Sequence, residues 1–264
     1  GFCLSRGLGD VYKRQGLSTA FAVILGVLLG ILVAYKHGGK FDTFMVFTSL
    51  AFYSLPTFWM GMLAIEVFFS YLHWFPHAHA FPDEWTKGAG VNWPTPFIIQ
   101  SQTNSQALQL QLIFNPDNLV TFITGFAKHA FLPVSVLTLF QYGGFLLLAR
   151  ATMLEALTED YVMTARAKGV KERDVLLRHA LKNASLPLIT SAALSFGFMV
   201  SGAIITETVF SWPGMGGWIF YRGILGQDIN VFQATFYVIA VCVIVANFLA
   251  DLLYGIIDPR IKYG

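Results

Sequence analysis

The chain has 264 residues, of which 55% are hydrophobic and only 12% charged, and its formal net charge is +2. Soluble domains carry roughly 25% charged residues, so this composition excludes a water-soluble globular domain and points to a multi-pass membrane protein. Two cysteines, Cys3 and Cys242, cannot build a disulfide framework, and no linker, internal repeat or low-complexity tract divides the chain.

The opening stretch GFCLSRGLGDVYKRQ is basic and reads neither as a signal peptide nor as a spanning segment. It is expected to be a foreign or truncated leader over 1–15, ahead of a membrane domain over 16–264; a short native external tail is the alternative. A helix crossing about 30 Å of hydrocarbon needs roughly 20 apolar residues, and the windows 16–35, 129–149, 185–210 and 231–257 meet that need. A fifth window, 43–75, is longer than a bilayer requires and contains Pro56, which predicts a tilted or kinked helix. The alternating short segments of a membrane barrel are absent. The expected fold class is therefore all-α, a polytopic helix bundle with five spans present. Gly26 and Gly30 form a Gly-x-x-x-Gly pair in the first span, suited to close helix approach but equally compatible with a lipid-facing position.

Cytoplasmic loops retain Lys and Arg, and these residues fall unevenly. Lys36 and Lys40 follow the first span, Arg150, Arg166, Lys168, Lys171, Arg173, Arg178 and Lys182 follow the third, and Arg260 and Lys262 lie in the tail, against Lys87, Lys128 and Arg222 on the other face. The tail is thus expected in the cytoplasm. Five spans would then leave the basic leader outside, so one further amino-terminal span, six in all, is expected in the intact protein.

The external loop 76–128 is rich in Pro, Trp and Gln, and its fold is not readable. His73, His77 and His79 at its start have a spacing that could hold a metal ion, although interfacial histidines without a ligand are commoner. Between the third and fourth spans lies EDYVMTARAKGVKERDVLLRHALK, Glu159 to Lys182, with ten formal charges. At roughly 2.5 kcal/mol for each charge at the bilayer centre, burying it in lipid would cost on the order of 25 kcal/mol, so it stays in water. Asp160 is expected to cap a short helix through Lys168, Gly169 to stop it, and Leu177, Ala180, Leu181 and Ala184 to form the stripe of a second helix. Asp174 and Arg178 are spaced for a helical ion pair. The small-residue face Ala165, Ala167 and Gly169 has no evident recipient in the chain and is expected to meet a partner protein; a solvated hairpin that only links two spans is the plainer reading.

These residues closely resemble the EAA loop of ABC importer permeases of the dipeptide and oligopeptide family. SLPTFWMGML at Ser54 to Leu63, ETVFSWPGMG at Glu207 to Gly216 and DLLYGIIDPRIKYG at Asp251 to Gly264 follow in the family's order, so the resemblance covers residues 16–264 and implies the type I importer permease fold. Met163, Thr164 and Ala165 stand where the general motif has Glu-Ala-Ala, Gly169 is its glycine and Leu181 its late leucine, while Lys182 replaces the proline and Lys171 a frequent capping serine.

By that resemblance the loop 158–182 is a coupling helix docked on an ATP-hydrolysing subunit, with Asp160, Tyr161, Thr164, Ala165, Arg166, Ala167, Lys168, Gly169 and Arg178 as ATPase-coupling residues. The implied partners are a related second permease, two ABC ATPases, an extracytoplasmic solute-binding protein and the lipid bilayer of a prokaryotic inner membrane, with no nucleic acid. The chain itself is expected to bind no cofactor; ATP and Mg belong to the partner ATPases. No phosphate loop, His-Glu-x-x-His or Gly-x-Ser-x-Gly motif occurs, so no enzymatic activity is expected.

Ionisable residues inside spans are costly and mark transport paths. Glu66 and Glu207, placed toward the outer mouth, are candidates for attracting the amino terminus of a peptide, or else snorkel or pair with Lys128 or Arg222. Asn247 and Asp251 are expected to hydrogen-bond within the bundle. Trp212, Pro213 and Gly214 open a turn followed by a short amphipathic helix, which in the resembling family forms the outer gate; Trp212 and Trp218 could instead be interfacial anchors. A nickel or oligosaccharide importer permease is the alternative within the family, and an ion-driven carrier or an intramembrane enzyme the alternatives outside it.

Overall fold

Proline and glycine positions decide how the apolar segments are arranged. The computed structural model describes residues 2–76, 97–104, 107–114, 116–198, 204–211, 216 and 219–257. Helix α1 spans Phe2–Tyr35, α2 Lys40–Ser54 and α3 Thr57–Ala64, the last continued by a wider π-helical stretch, Ile65–Tyr71. Strands β1, Phe97–Asn104, and β2, Ala107–Phe114, precede the 43-residue helix α4, Pro116–Thr158. Then come α5, Asp160–Ala167, and α6, Glu172–Asp174, which runs through a π-helical stretch Val175–Ala180 into α7, Leu181–Phe198. Helix α8, Ile204–Val209, a third π-helical stretch Ile219–Ile224 and α9, Ile229–Ile257, complete the described chain.

Among the described residues, three helices are long and apolar enough to cross a membrane, Arg14–Tyr35, Asp117–Thr158 and Ile229–Leu249, or four if α2 and α3 with its extension count as one bent span. The predicted 185–210 window corresponds to α7 and α8, with residues 199–203 between them outside the described set.

Two expectations change, and two features are added to the sequence reading. The 43–75 window is broken rather than kinked: its halves meet at 97°. Proline disfavours helical geometry in the residue before it, and Leu55 and Pro56 are both extended, with ψ of 136° and 130°, so the chain is redirected there. The third predicted span begins at Pro116 rather than at residue 129; at 1.5 Å per residue α4 is on the order of 65 Å long, far more than a bilayer requires. The loop 76–128 contains an antiparallel hairpin with Phe97 opposite Phe114 and Asn104 opposite Ala107, where Leu108, Leu110 and Leu112 alternate with Gln109 and Gln111 at the strand period of two. Helix α1 is continuous from Phe2 across the 15/16 boundary, so the leader residues are helical.

Helix α4 is the axis of the bundle. A Cβ built on Gly26 would fall 2.5 Å from the Phe145 Cβ, and one on Gly30 2.5 Å from the Ala149 Cβ, so both glycines of α1 face α4 rather than lipid. On its other side, a Cβ on Gly143 would fall 2.6 Å from the Ser49 carbonyl oxygen of α2. Close backbone approach replaces the hydrophobic driving force that lipid removes. Polar ties supplement it: the Thr19 hydroxyl donates to the Gln141 side-chain oxygen at 3.1 Å and the Thr138 hydroxyl to the Ser18 carbonyl at 3.3 Å. Toward the opposite end, Met60, Leu132, Val136 and Phe210 join α3, α4 and the residue after α8. Phe21, Ile24, Leu28, Phe44, Phe47, Ile244 and Phe248 remain exposed on α1, α2 and α9, as expected of surfaces solvated by lipid or a neighbouring subunit.

Candidate coupling site

The water-exposed segment is folded against the end of the bundle by its own apolar residues. Val162, Ala165, Val175, Ala180 and Ala184 bury into one cluster with Met153 and Ala156 of α4 and Ile31 and Ala34 of α1. This places the segment at the same end as the basic turn after α1, consistent with the distribution of Lys and Arg.

Glu159 is extended, with φ −72° and ψ 147°, and separates α4 from α5. It takes the N-cap position expected for Asp160, which instead begins the helix, where a carboxylate favours the dipole. The Thr164 hydroxyl donates back to the Asp160 carbonyl at 2.9 Å. The helix ends at Ala167 rather than Lys168. Gly169 has φ +74°; its N–H donates to the Arg166 carbonyl at 2.9 Å and that of Val170 to the Ala165 carbonyl at 3.2 Å. These two bonds make a Schellman stop, which requires the left-handed conformation glycine tolerates.

Across the corner, Arg166 donates from Nη2 to Glu172 Oε1 at 2.7 Å and from Nε to Oε2 at 3.3 Å. The guanidinium holds the Glu172 carboxyl below its usual range, and the carboxylate raises Arg166 in return. Arg178 and Asp174 form the expected ion pair at 3.3 Å.

Part of the expected docking face is not available. Ala165 is 5% exposed, buried by the chain's own helices, whereas Met163, Thr164, Arg166, Ala167, Lys168 and Gly169 are exposed. The expectation that nothing in the chain could receive the small-residue face is therefore wrong for Ala165 and leaves Ala167 and Gly169 open. Similarly, Leu177 is 43% exposed while Val175 and Ala180 are fully buried. The π-helical stretch puts residues five apart on one side, which rotates Leu177 out of the predicted stripe. Tyr161 is partly buried, and its hydroxyl, without a hydrogen-bond partner among the described residues, lies beside a cleft of about 490 Å³ lined by Thr152, Glu155, Glu159, Asn183 and Pro187 among others.

The remaining predicted residues are scattered. Glu66 is exposed on the π-helical extension of α3. Glu207 is 2% exposed rather than open to an outer mouth, and Arg14 donates to its Oε1 at 3.3 Å, a contact sequence reading missed because Arg14 belongs to the expected leader. Asn247 is exposed on α9 rather than turned into the bundle, and the Asp251 side chain lies outside the described residues. Trp212, Pro213, Gly214 and Trp218 also lie outside them, as do His77 and His79; His73 has φ +56°.

Sequence reading also missed a charged cluster at the end of the bundle that carries the elbow. Asp42, His37 and Arg150 come together there, with Arg150 Nε 2.7 Å from Asp42 Oδ1 and His37 Nδ1 3.0 Å from Oδ2. An acidic residue at the edge of an apolar window was the available signal.

A bundle of apolar helices closed at one end by a folded, charged elbow defines a polytopic helical membrane protein. The chain belongs to the family of inner membrane components of binding-protein-dependent transport systems, whose model matches residues 26–263. It is 35% identical over 243 residues, 92% of this chain and 67% of the relative, to the di/tripeptide transport system permease protein DppB of Pseudomonas aeruginosa. It is 36% identical over 244 residues, 92% of this chain and 68% of the relative, to the dipeptide transport system permease protein DppB of Escherichia coli K12. To the oligopeptide transport system permease protein AppB of Bacillus subtilis it is 33% identical over 247 residues, 94% of this chain and 67% of the relative. In fold it is similar to a chain of the MetNI methionine ABC transporter in an inward-facing conformation, with a TM-score of 0.69, 14% identity and 97% coverage of both chains.

Proposed function

We propose that this chain is the membrane-spanning subunit of an ATP-binding-cassette importer for di- or oligopeptides, and that its 158–182 elbow receives the motion of separate ATPase subunits. The substrate class rests on identity near 35% to dipeptide permeases across nine-tenths of the chain. The coupling role rests on one observation: α5 is anchored to α4 and α1 through Val162 and Ala165 while Arg166, Ala167, Lys168 and Gly169 stay exposed. A segment fixed on one face and open on the other passes an external push into the bundle instead of yielding to it.

In this reading a second permease, two ATPases and an extracytoplasmic binding protein complete the importer, ATP and Mg bind the ATPases, and the elbow and carboxyl terminus face the cytoplasm. Glu66, exposed on the extension of α3, belongs to the outer half of the path and the segment Trp212, Pro213 and Gly214 to the outer gate, whereas Glu207, buried against Arg14, does not line that path. The test is Ala167→Cys in a background lacking Cys3 and Cys242, labelled with a short thiol-directed photocrosslinker such as a maleimide-benzophenone and irradiated in membranes holding the assembled importer. The expected product links this chain to an ATPase. Links only to lipid, or labelling of Ala167→Cys from the external side, would refute the assignment. Uptake of radiolabelled dialanine tests the substrate class separately.

A further inference from the structure

Asp42 lies in the first turn of α2 with its side chain 6% exposed, and it is held from several directions. Arg150 of α4 donates from Nε to Oδ1 at 2.7 Å and from Nη2 to Oδ2 at 2.9 Å. Gly38, in the turn between α1 and α2, donates its backbone N–H to Oδ2 at 2.9 Å. His37 Nδ1 stands 3.0 Å from the same oxygen and 3.1 Å from Arg150 Nη2, so its tautomer decides which of the two it bonds. Gly38 has φ +77° with open space where a Cβ would be, so the turn that offers this N–H depends on a left-handed glycine. A two-point guanidinium fork fixes orientation as well as distance.

The position of this fork gives it a use. Arg150 is on the last part of α4, and the turns that follow it, carrying Met153 and Ala156, are locked to Val162, Ala165 and Val175 of the elbow. A displacement of the elbow therefore reaches Arg150 through packed helix. The fork delivers it to the start of α2, ahead of the break at Leu55 and Pro56 where the chain turns by 97°. Farther along, α2 meets α4 by the backbone approach at Gly143 and by ring contacts, Phe52 with Tyr142 and Tyr53 with Phe140. Such contacts can slide, whereas the fork cannot move without breaking charge-assisted bonds.

We propose that Asp42 and Arg150 are positioning residues for transport, the rigid link that carries elbow movement into the broken α2–α3 element. The inference rests on the coupling role proposed above. The test uses the complete importer in proteoliposomes with its binding protein, measuring ATP hydrolysis and uptake of radiolabelled dialanine together for Asp42→Asn, Arg150→Lys and Gly169→Pro. Asp42→Asn is expected to hydrolyse ATP at the parental rate and raise ATP consumed per peptide roughly tenfold, the scale of one hydrogen bond to a charged group. Arg150→Lys, which keeps the charge and loses the fork, is expected to fall between Asp42→Asn and the parent.

A parental ratio in both variants overturns the link. So does a proportional fall in hydrolysis and uptake, or failure of both variants to assemble, because those mark a pair that only stabilises the fold. Gly169→Pro separates the two claims. An unchanged ratio there refutes the coupling elbow itself, while a raised ratio there with a parental ratio in Asp42→Asn removes only the link.

Discussion

Gly169 permits a worked test, because its conformation and its surroundings call for different responses to substitution. Its φ is +74°, and a Cβ added there would meet nothing within 4 Å. Crowding therefore contributes nothing, and the cost of any side chain is backbone strain alone. For alanine that strain is about 1–2 kcal/mol; asparagine, which tolerates the left-handed region, should cost less. Proline is worst on two counts, since its ring fixes φ near −65° and it removes the N–H that donates to the Arg166 carbonyl at 2.9 Å.

A loss of about 3 kcal/mol for proline lowers the ratio of formed to opened elbows roughly a hundredfold, at about 1.4 kcal/mol per factor of ten. Tryptic cleavage after the exposed Lys171 reports the opened elbow, and ATP consumed per imported dipeptide reports its consequence. Both should rise in the order Asn, Ala, Pro, with membrane insertion unchanged. An order that follows side-chain volume, with Leu worse than Pro, would refute the conformational argument. Parental cleavage and transport in Gly169→Pro would refute the importance of the corner altogether.

Gly30→Leu should destabilise the bundle by about 1–3 kcal/mol, as overpacking does, because its Cβ would start 2.5 Å from that of Ala149; a lower melting temperature in detergent checks this. Met153→Ala, at a fully buried position of the cluster that anchors the elbow, should cost about 2–5 kcal/mol and appear as faster proteolysis of the 158–182 segment.

The Glu172 carboxyl is held below its usual range by Arg166, so its contribution is complete above the unfolded-state value and is lost as pH falls through the lower folded-state value. The side chains of the pair are 38% and 39% exposed, so salt screening keeps the contribution to about 1 kcal/mol or less. Glu172→Gln should remove that part of the acid sensitivity of loop proteolysis, and 1 M salt should shrink the effect in the parent; acid sensitivity unchanged in the variant would exclude the pair as its source.

Much of this protein was legible locally. Apolar runs located α1, α4 and α9 because a bilayer demands length and little else, and the charge density of 158–182 forbade insertion. Gly169 announced a helix stop because only glycine is comfortable at φ +74°. Pairing was not legible. Gly26 and Gly30 could have faced lipid until α4 was found against them, and Leu177 left its predicted stripe because one π-helical stretch shifted the register. Asp42 and Arg150 are 108 residues apart in sequence, and no periodicity links them. Residues within a few turns of each other are constrained by backbone geometry that the sequence specifies directly. Contacts between distant helices depend on how whole faces fit, and only the folded bundle decided those.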